Sequence, residues 1–249
     1  MHSVILLSLA RGGDSHACTK KNAIRRHNAS TYYSELTPDG FRFLVSSDPA
    51  LRAAYITICK TCYQDDLGIA QIDVNFNASG GPHTLFITKN GMLIGGCAIY
   101  VKNGAEQTYL PLESNLFTLK EVLPSLIHDD TRYCEFSKLS ILPTYRSEAL
   151  LASFIDFKFR FCMKEKIDYL FVNAPYIQAR SYRKLSKRLG FDFTILPEVP
   201  MPVKEVYSGL NKVVLSAMPF NQNEKIATSI FQMNEGPHAV QNAKTFFAA

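Results

Sequence analysis

The 249-residue sequence has no tryptophan and only six cysteines. No apolar run approaches the length of about 20 residues that a membrane-spanning helix needs, so no membrane span is expected. Cys18, Cys59, Cys62, Cys97, Cys134 and Cys162 are scattered through apolar stretches rather than set at framework spacing. They read as reduced, mostly buried thiols of a cytoplasmic protein. Cys59 and Cys62 have CxxC spacing, but no second CxxC or histidine pair completes a zinc site, and no metal is expected. No lysine or arginine precedes the apolar stretch 4–10, as the start of a signal peptide would require. Charged residues make up 20% of the chain, with a net charge of +5. That mild excess favours an anionic partner without pointing to nucleic acid. There is no internal repeat or low-complexity segment.

What is present suits a globular α/β protein: 47% hydrophobic residues and a mean hydropathy of −0.04 allow a substantial core. Residues 11–40 are polar and without a sustained period, and 1–40 read as a leader or cap. A folded domain is expected over 41–217 and a polar tail over 218–249. Residues 41–45 alternate as a strand, and Asp48 followed by Pro49 marks the start of a helix running to about Tyr63. After a polar loop, 65–82, two apolar strands at 83–88 and 92–101 flank Asn90-Gly91, a strong hairpin signal. A short helical pattern covers 119–127, and a strand at 133–142 is stopped by Pro143. Leu150, Phe154, Phe157 and Phe161, at i, i+4, i+7 and i+11, predict a long helix with Asp156, Lys158, Arg160 and Lys164 at polar positions. A strand at 167–172, a helix at 177–189 ending at Gly190, and strands at 191–196 and 212–217 complete the order.

Several of these segments carry residues with chemical potential. In the 133–142 strand a period of two puts Glu135, Ser137, Leu139 and Ile141 on one face, so Glu135 and Ser137 would meet a cleft together. Asp65, Asp66 and Asp73 in the polar loop would attract a cationic amine, and solvation of a loop is the alternative for each. His83 sits at a strand entrance, where a structural histidine is common. Arg180, Arg183, Lys184, Lys187 and Arg188 make one face of the 177–189 helix basic, with Tyr182, Leu185 and Leu189 opposite. Such a stripe suits docking of an acidic carrier protein; nucleic acid is the rival, but no recognised binding motif accompanies it. The seventeen phenylalanines serve either an ordinary core or a pocket for an acyl chain.

Glu135-Phe136-Ser137-Lys138-Leu139 is similar to the Glu-x-Ser-Arg-Phe strand of acyl-homoserine-lactone synthases and related N-acyl amino acid synthases, with lysine in place of arginine. The order of elements from 41 to 217 resembles the GNAT acyltransferase arrangement. The acidic loop before the His83 strand, and Arg52 and Tyr55 on the first helix, add to the likeness. The resemblance implies a mixed, mainly antiparallel sheet flanked by helices and splayed near 133–142 to admit a pantetheine arm. It also implies an N-acyltransferase with no permanently bound cofactor, using acyl-CoA or an acyl-phosphopantetheine thioester as co-substrate. Glu135 would orient or deprotonate a small amino acid-like amine, with Ser137 beside it. Backbone N–H groups from Leu139 to Ile141 would receive the thioester carbonyl. Asp65, Asp66, Asp73, His83 and Lys138 would line the acceptor site, and Arg146 and Ser147 the donor phosphate.

Two departures shift the expected donor. The segment after Pro143 lacks the glycines that let a pyrophosphate approach a helix N-terminus, and Glu148 would repel it. Ser186 stands where many such enzymes have a tyrosine to protonate the leaving thiolate, with Tyr182 one turn earlier. Both point away from acetyl-CoA towards a medium or long acyl group on acyl carrier protein or CoA. An acetyl-CoA-dependent N-acetyltransferase and a non-catalytic ligand-binding protein are the other readings.

Overall fold

The computed structural model describes residues 31–69, 83–202 and 212–220, apart from the side chains of Tyr32 and Leu67. Eight strands form one sheet in the order β1-β2-β3-β4-β5-β6-β8-β7. It is antiparallel along β1 to β4 in the β1–β2, β2–β3 and β3–β4 pairs, and again among β6, β8 and β7. β5 runs parallel to β6. The mixed, mainly antiparallel α/β architecture is the one expected. Two compact units divide the chain: the described residues up to Tyr100 with Phe136–Cys162, and Val101–Glu135 with the described residues from Met163 on.

In the first unit, β1 (Thr31–Leu36) and β2 (Phe41–Ser46) are joined by a turn at Gly40. The ordered fold thus begins ahead of residue 41, inside what the polarity of 11–40 suggested was a cap. Tertiary contacts explain why so polar a segment is a strand: the Tyr33 ring stacks on Phe157 at 5.2 Å, and Arg160 holds Glu35 at 2.6 Å. Helix α1 (Pro49–Leu67) starts where Asp48 accepts the N–H groups of Ala50 and Leu51, at 2.8 and 3.4 Å. It ends on Gly68 with φ 67°, a left-handed cap. Its buried face, Leu51, Tyr55, Ile58, Cys59 and Cys62, packs on Leu44, Phe86, Leu93 and Ala98.

β3 (His83–Lys89) and β4 (Met92–Asn103) meet at Asn90 and Gly91, with φ of 52° and 75°, the two positive values a tight hairpin turn requires. Helix α3 (Glu148–Lys164) buries Leu150, Phe154, Phe157 and Phe161 as its period predicts, each worth roughly 1.5–3 kcal/mol. Lys158 departs from its expected polar position. It is 2% exposed, with its ammonium 4.5 Å from the Phe136 ring centre and 5.4 Å from that of Phe154. Facing two aromatic rings offsets part of its desolvation.

In the second unit, β6 (Tyr169–Pro175) pairs along its whole length with β8 (Val213–Pro219), which also takes β7 (Thr194–Leu196). Helix α4 (Tyr176–Arg188) buries Ala179, Tyr182, Leu185 and Ser186, with Tyr182 against Phe193 at 6.3 Å. The connector before β5 contains α2 (Leu119–Val122), capped by Thr118. β5 (Arg132–Ile141) gives its first part to this unit and its last part to the other. Among the described residues no helix is long and apolar enough to cross a membrane.

Candidate active site on strand β5

β5 is not a regular strand. Its parallel pairing with β6 consists of Tyr133 with Tyr169, Cys134 with Leu170 and Glu135 with Phe171. Three residues further on, Lys138 adopts φ 61°, a left-handed conformation that a long side chain rarely takes inside a strand. This interrupts the period of two, so Leu139 and Ile141 cannot be assigned to the face of Glu135 by counting. The backbone carbonyls around Lys138 are claimed by side chains. The Tyr55 hydroxyl donates to Lys138 O, and the Cys59 thiol also lies on that oxygen at 3.8 Å. The Cys97 thiol donates to Ser137 O at 3.4 Å, and Cys62 to Ile141 O at 3.5 Å.

Tyr55, Cys59 and Cys62 keep their protons. Burial pushes the Cys59 thiol up to about 12, against smaller lowering effects from Tyr55, Ser140 and the nearby Lys138 ammonium. Burial likewise holds Tyr55 well above the usual tyrosine range. A thiol so protonated is no nucleophile, and Cys59 and Cys62 act as packing and hydrogen-bonding groups. Among the described residues no group of three or more His, Cys, Asp or Glu is placed to hold a metal. Ser137 and Lys138 are themselves buried, each at 1% exposure.

The close fit around Lys138 depends on the Gly95-Gly96 pair of β4. A Cβ on Gly95 would stand 2.5 Å from Ser140 O, and one on Gly96 would stand 2.4 Å from Leu85 O and 3.1 Å from the Tyr55 ring. Only glycine lets the Tyr55 ring and the end of β5 approach so near.

Arg146 and Asp66, read as donor and acceptor residues respectively, are brought against each other. Two guanidinium nitrogens meet the two carboxylate oxygens at 2.9 and 2.5 Å, and Nε donates to Ile141 O at 2.8 Å. Burial lowers the Arg146 pKa, but the Asp66 carboxylate outweighs it and the net direction is up. Ser147 accepts the Leu150 N–H at 3.1 Å and so caps α3. Asp65 is exposed, and Asp73 lies outside the described residues. His83 is half-buried, its ring edge-on to Phe161 at 5.2 Å.

In the second unit Glu135 is fully buried, and its Oε2 accepts the Leu112 N–H at 2.8 Å. Beside this contact lies a group that sequence reasoning missed. Glu113 accepts from Lys102 Nζ at 3.0 Å, from the Leu110 and Leu119 N–H groups at 2.9 Å each, and from the Tyr133 hydroxyl at 3.4 Å. Burial, then Glu113, raises the Tyr133 pKa. These two carboxylates tie the 110–119 connector down at separate points. Glu113 sits in an aperiodic loop, so no sequence pattern marks it.

Arg180, Arg183, Lys184 and Lys187 are exposed on α4 and line one open groove of about 990 Å³, together with Ile177, Phe191 and Phe193. Ser186, at the usual tyrosine position, is buried in the same helix, as is Tyr182.

No family model and no curated protein sequence matches the chain. Solved structures do. FeeM, an N-acyl amino acid synthase from uncultured soil microbes, superposes with a TM-score of 0.53 at 18% identity, covering 72% of this chain and 90% of that one. BjaI, a CoA-dependent acyl-homoserine lactone synthase, superposes with a TM-score of 0.50 at 11% identity, covering 71% and 79%. This chain therefore has a GNAT-like acyltransferase fold, resembling those of an N-acyl amino acid synthase and an acyl-homoserine lactone synthase.

Proposed function

We propose that the protein is an N-acyltransferase. It moves a medium or long acyl group from an acyl carrier protein or acyl-CoA thioester to the amine of a small amino acid-like acceptor. The observation that carries this is the left-handed break at Lys138 inside β5, within a fold shared with two acyl-transferring synthases.

The acceptor nitrogen attacks the thioester carbonyl carbon. The C–N bond forms, the C–S bond breaks, a proton leaves the nitrogen, and the departing thiolate takes one up. Backbone N–H groups between Leu139 and Ile141 receive the developing oxyanion, the kind of donor worth about 10²–10³ in kcat. Glu135 orients the amine or takes its proton, directly or through water, its carboxylate held in place by the Leu112 N–H. Ser137, two residues further along β5, shares the catalytic role, and Lys138 serves the acceptor. His83 and the loop carboxylates Asp65 and Asp73 draw in the cationic amine, while Asp66 is held by Arg146. Arg146 and Ser147 lie at the start of α3, where a single phosphate of the pantetheine arm would sit. The α4 groove, four cations around exposed Ile177 and half-buried Phe191, suits the acidic surface of a carrier protein.

The test is thiol release. The protein is incubated with acyl-CoA and acyl carrier thioesters of several chain lengths and a pool of amines. Amine-dependent release from medium or long donors is expected. Release from acetyl-CoA alone would make the chain an N-acetyltransferase, and none from any donor would leave a non-catalytic binding protein.

A further inference from the structure

We infer that Tyr55 is a positioning residue for the acyl-transfer step, setting the direction of the Leu139 N–H through the carbonyl on the other end of the same peptide. This rests on the proposed acyltransferase function. The peptide between Lys138 and Leu139 is trans, so its C=O and N–H point opposite ways across one rigid plane. The Tyr55 hydroxyl, donating from α1, draws Lys138 O towards that helix. The Leu139 N–H is thereby aimed away from α1.

The Tyr55 ring is itself held stiffly. It is fully buried, edge-on to Phe86 at 6.0 Å, and so near Gly96 that a Cβ there would stand 3.1 Å from the ring. Cys59 reaches the same carbonyl from the next turn of α1. Lys138 has no conformational preference for φ 61°, so the turned peptide depends on what grips its oxygen. The tyrosine needs no charge and touches no reactant in this role; its hydroxyl and rigid ring suffice.

The test is a double-mutant cycle of Tyr55→Phe and Lys138→Gly, read by steady-state thiol release, with folding checked by thermal melting. Tyr55→Phe keeps the ring and removes the grip. In the parent background it should lower kcat by roughly 10-fold or more with the thioester KM little changed, as expected for a donor that acts in the transition state. Glycine at 138 adopts positive φ without a Cβ clash, so in the Lys138→Gly background the same substitution should lower kcat by less than about 3-fold. An equal fall in both backgrounds, or a change in KM alone, overturns the inference.

Should Tyr55→Phe not fold, the double variant should regain the fold, and its failure to do so counts against the role. If the parent protein itself releases no thiol, the function is wrong and hydrogen exchange at the Leu139 amide decides the positioning claim alone. Faster exchange in Tyr55→Phe supports it, and unchanged exchange refutes it.

Discussion

Replacing Glu113 by alanine should be among the most damaging single changes available in the second unit. The Glu113 side chain is fully buried, the Lys102 side chain is 6% exposed, and their charged atoms are 3.0 Å apart. Truncation leaves an ammonium without its carboxylate in the interior, a loss of about 3–5 kcal/mol, and strips the Leu110 and Leu119 N–H groups of their acceptor. Taking about 4 kcal/mol, and 2–4 °C per kcal/mol for a chain of this size, the melting temperature should fall by roughly 8–16 °C. Far-UV circular dichroism on heating, with urea denaturation alongside, measures this. Glu113→Gln should be damaging for the same electrostatic reason. Adding Lys102→Met to it should recover most of the loss, because the unpaired charge is then gone. A melting temperature for Glu113→Ala within about 2 °C of the parent, or no recovery in the double variant, would refute the reasoning.

Other perturbations test the remaining parts. Glu135→Gln keeps an oxygen to accept the Leu112 N–H, so the fold should hold while kcat drops by about 10²–10⁴ if the carboxylate is the base; full turnover in steady-state assays would remove it from the chemistry. Reversing charge at Arg183 and Lys184 should raise KM for a carrier-bound donor much more than for acyl-CoA, with a weaker salt dependence than in the parent; equal effects on both donors would dismiss the groove as a carrier-docking surface. Stability should also fall in alkali. The Cys59 thiol has a pKa near 9.0 in an unfolded chain and about 12 in the fold, so the folded state holds its proton longer. The contribution is intact below pH 9 and is lost as the pH rises towards 12, by roughly 2 kcal/mol at pH 10.5. Urea titrations at pH 8 and 10.5 should show the loss in the parent and a smaller one in Cys59→Ala; identical losses would contradict the assignment.

Local chemistry made much of this fold legible. Asp48-Pro49 and Asn90-Gly91 announce a cap and a turn through conformations few other residues favour, and both occur where expected. The period of α3 and the basic face of α4 needed nothing beyond helical geometry. Where tertiary partners decide, the sequence was silent. β1 is polar and becomes a strand because Phe157 and Arg160 receive Tyr33 and Glu35. Strand β6 runs on through Asn173 to Pro175, past the residues that read as its end, because β8 pairs with it throughout.

The site shows the same division. The Glu-x-Ser-Lys strand could be located, but lysine carries no signature of a left-handed conformation, so the break at 138 was invisible. Asp66 and Arg146 lie 80 positions apart and were given separate tasks, and only folding reveals their ion pair. Glu113 lacked any pattern because its four partners come from a strand, a loop, a helix start and β5.

The central claim is that this chain breaks a thioester by transferring its acyl group to an amine, and thiol release by the purified parent protein tests it most directly. Free thiol should appear with a medium- or long-chain acyl carrier or acyl-CoA donor only when an amine is present, matched by an equal amount of N-acyl product in the mass spectrum. No amine-dependent release from any donor, acetyl-CoA included, would contradict the account.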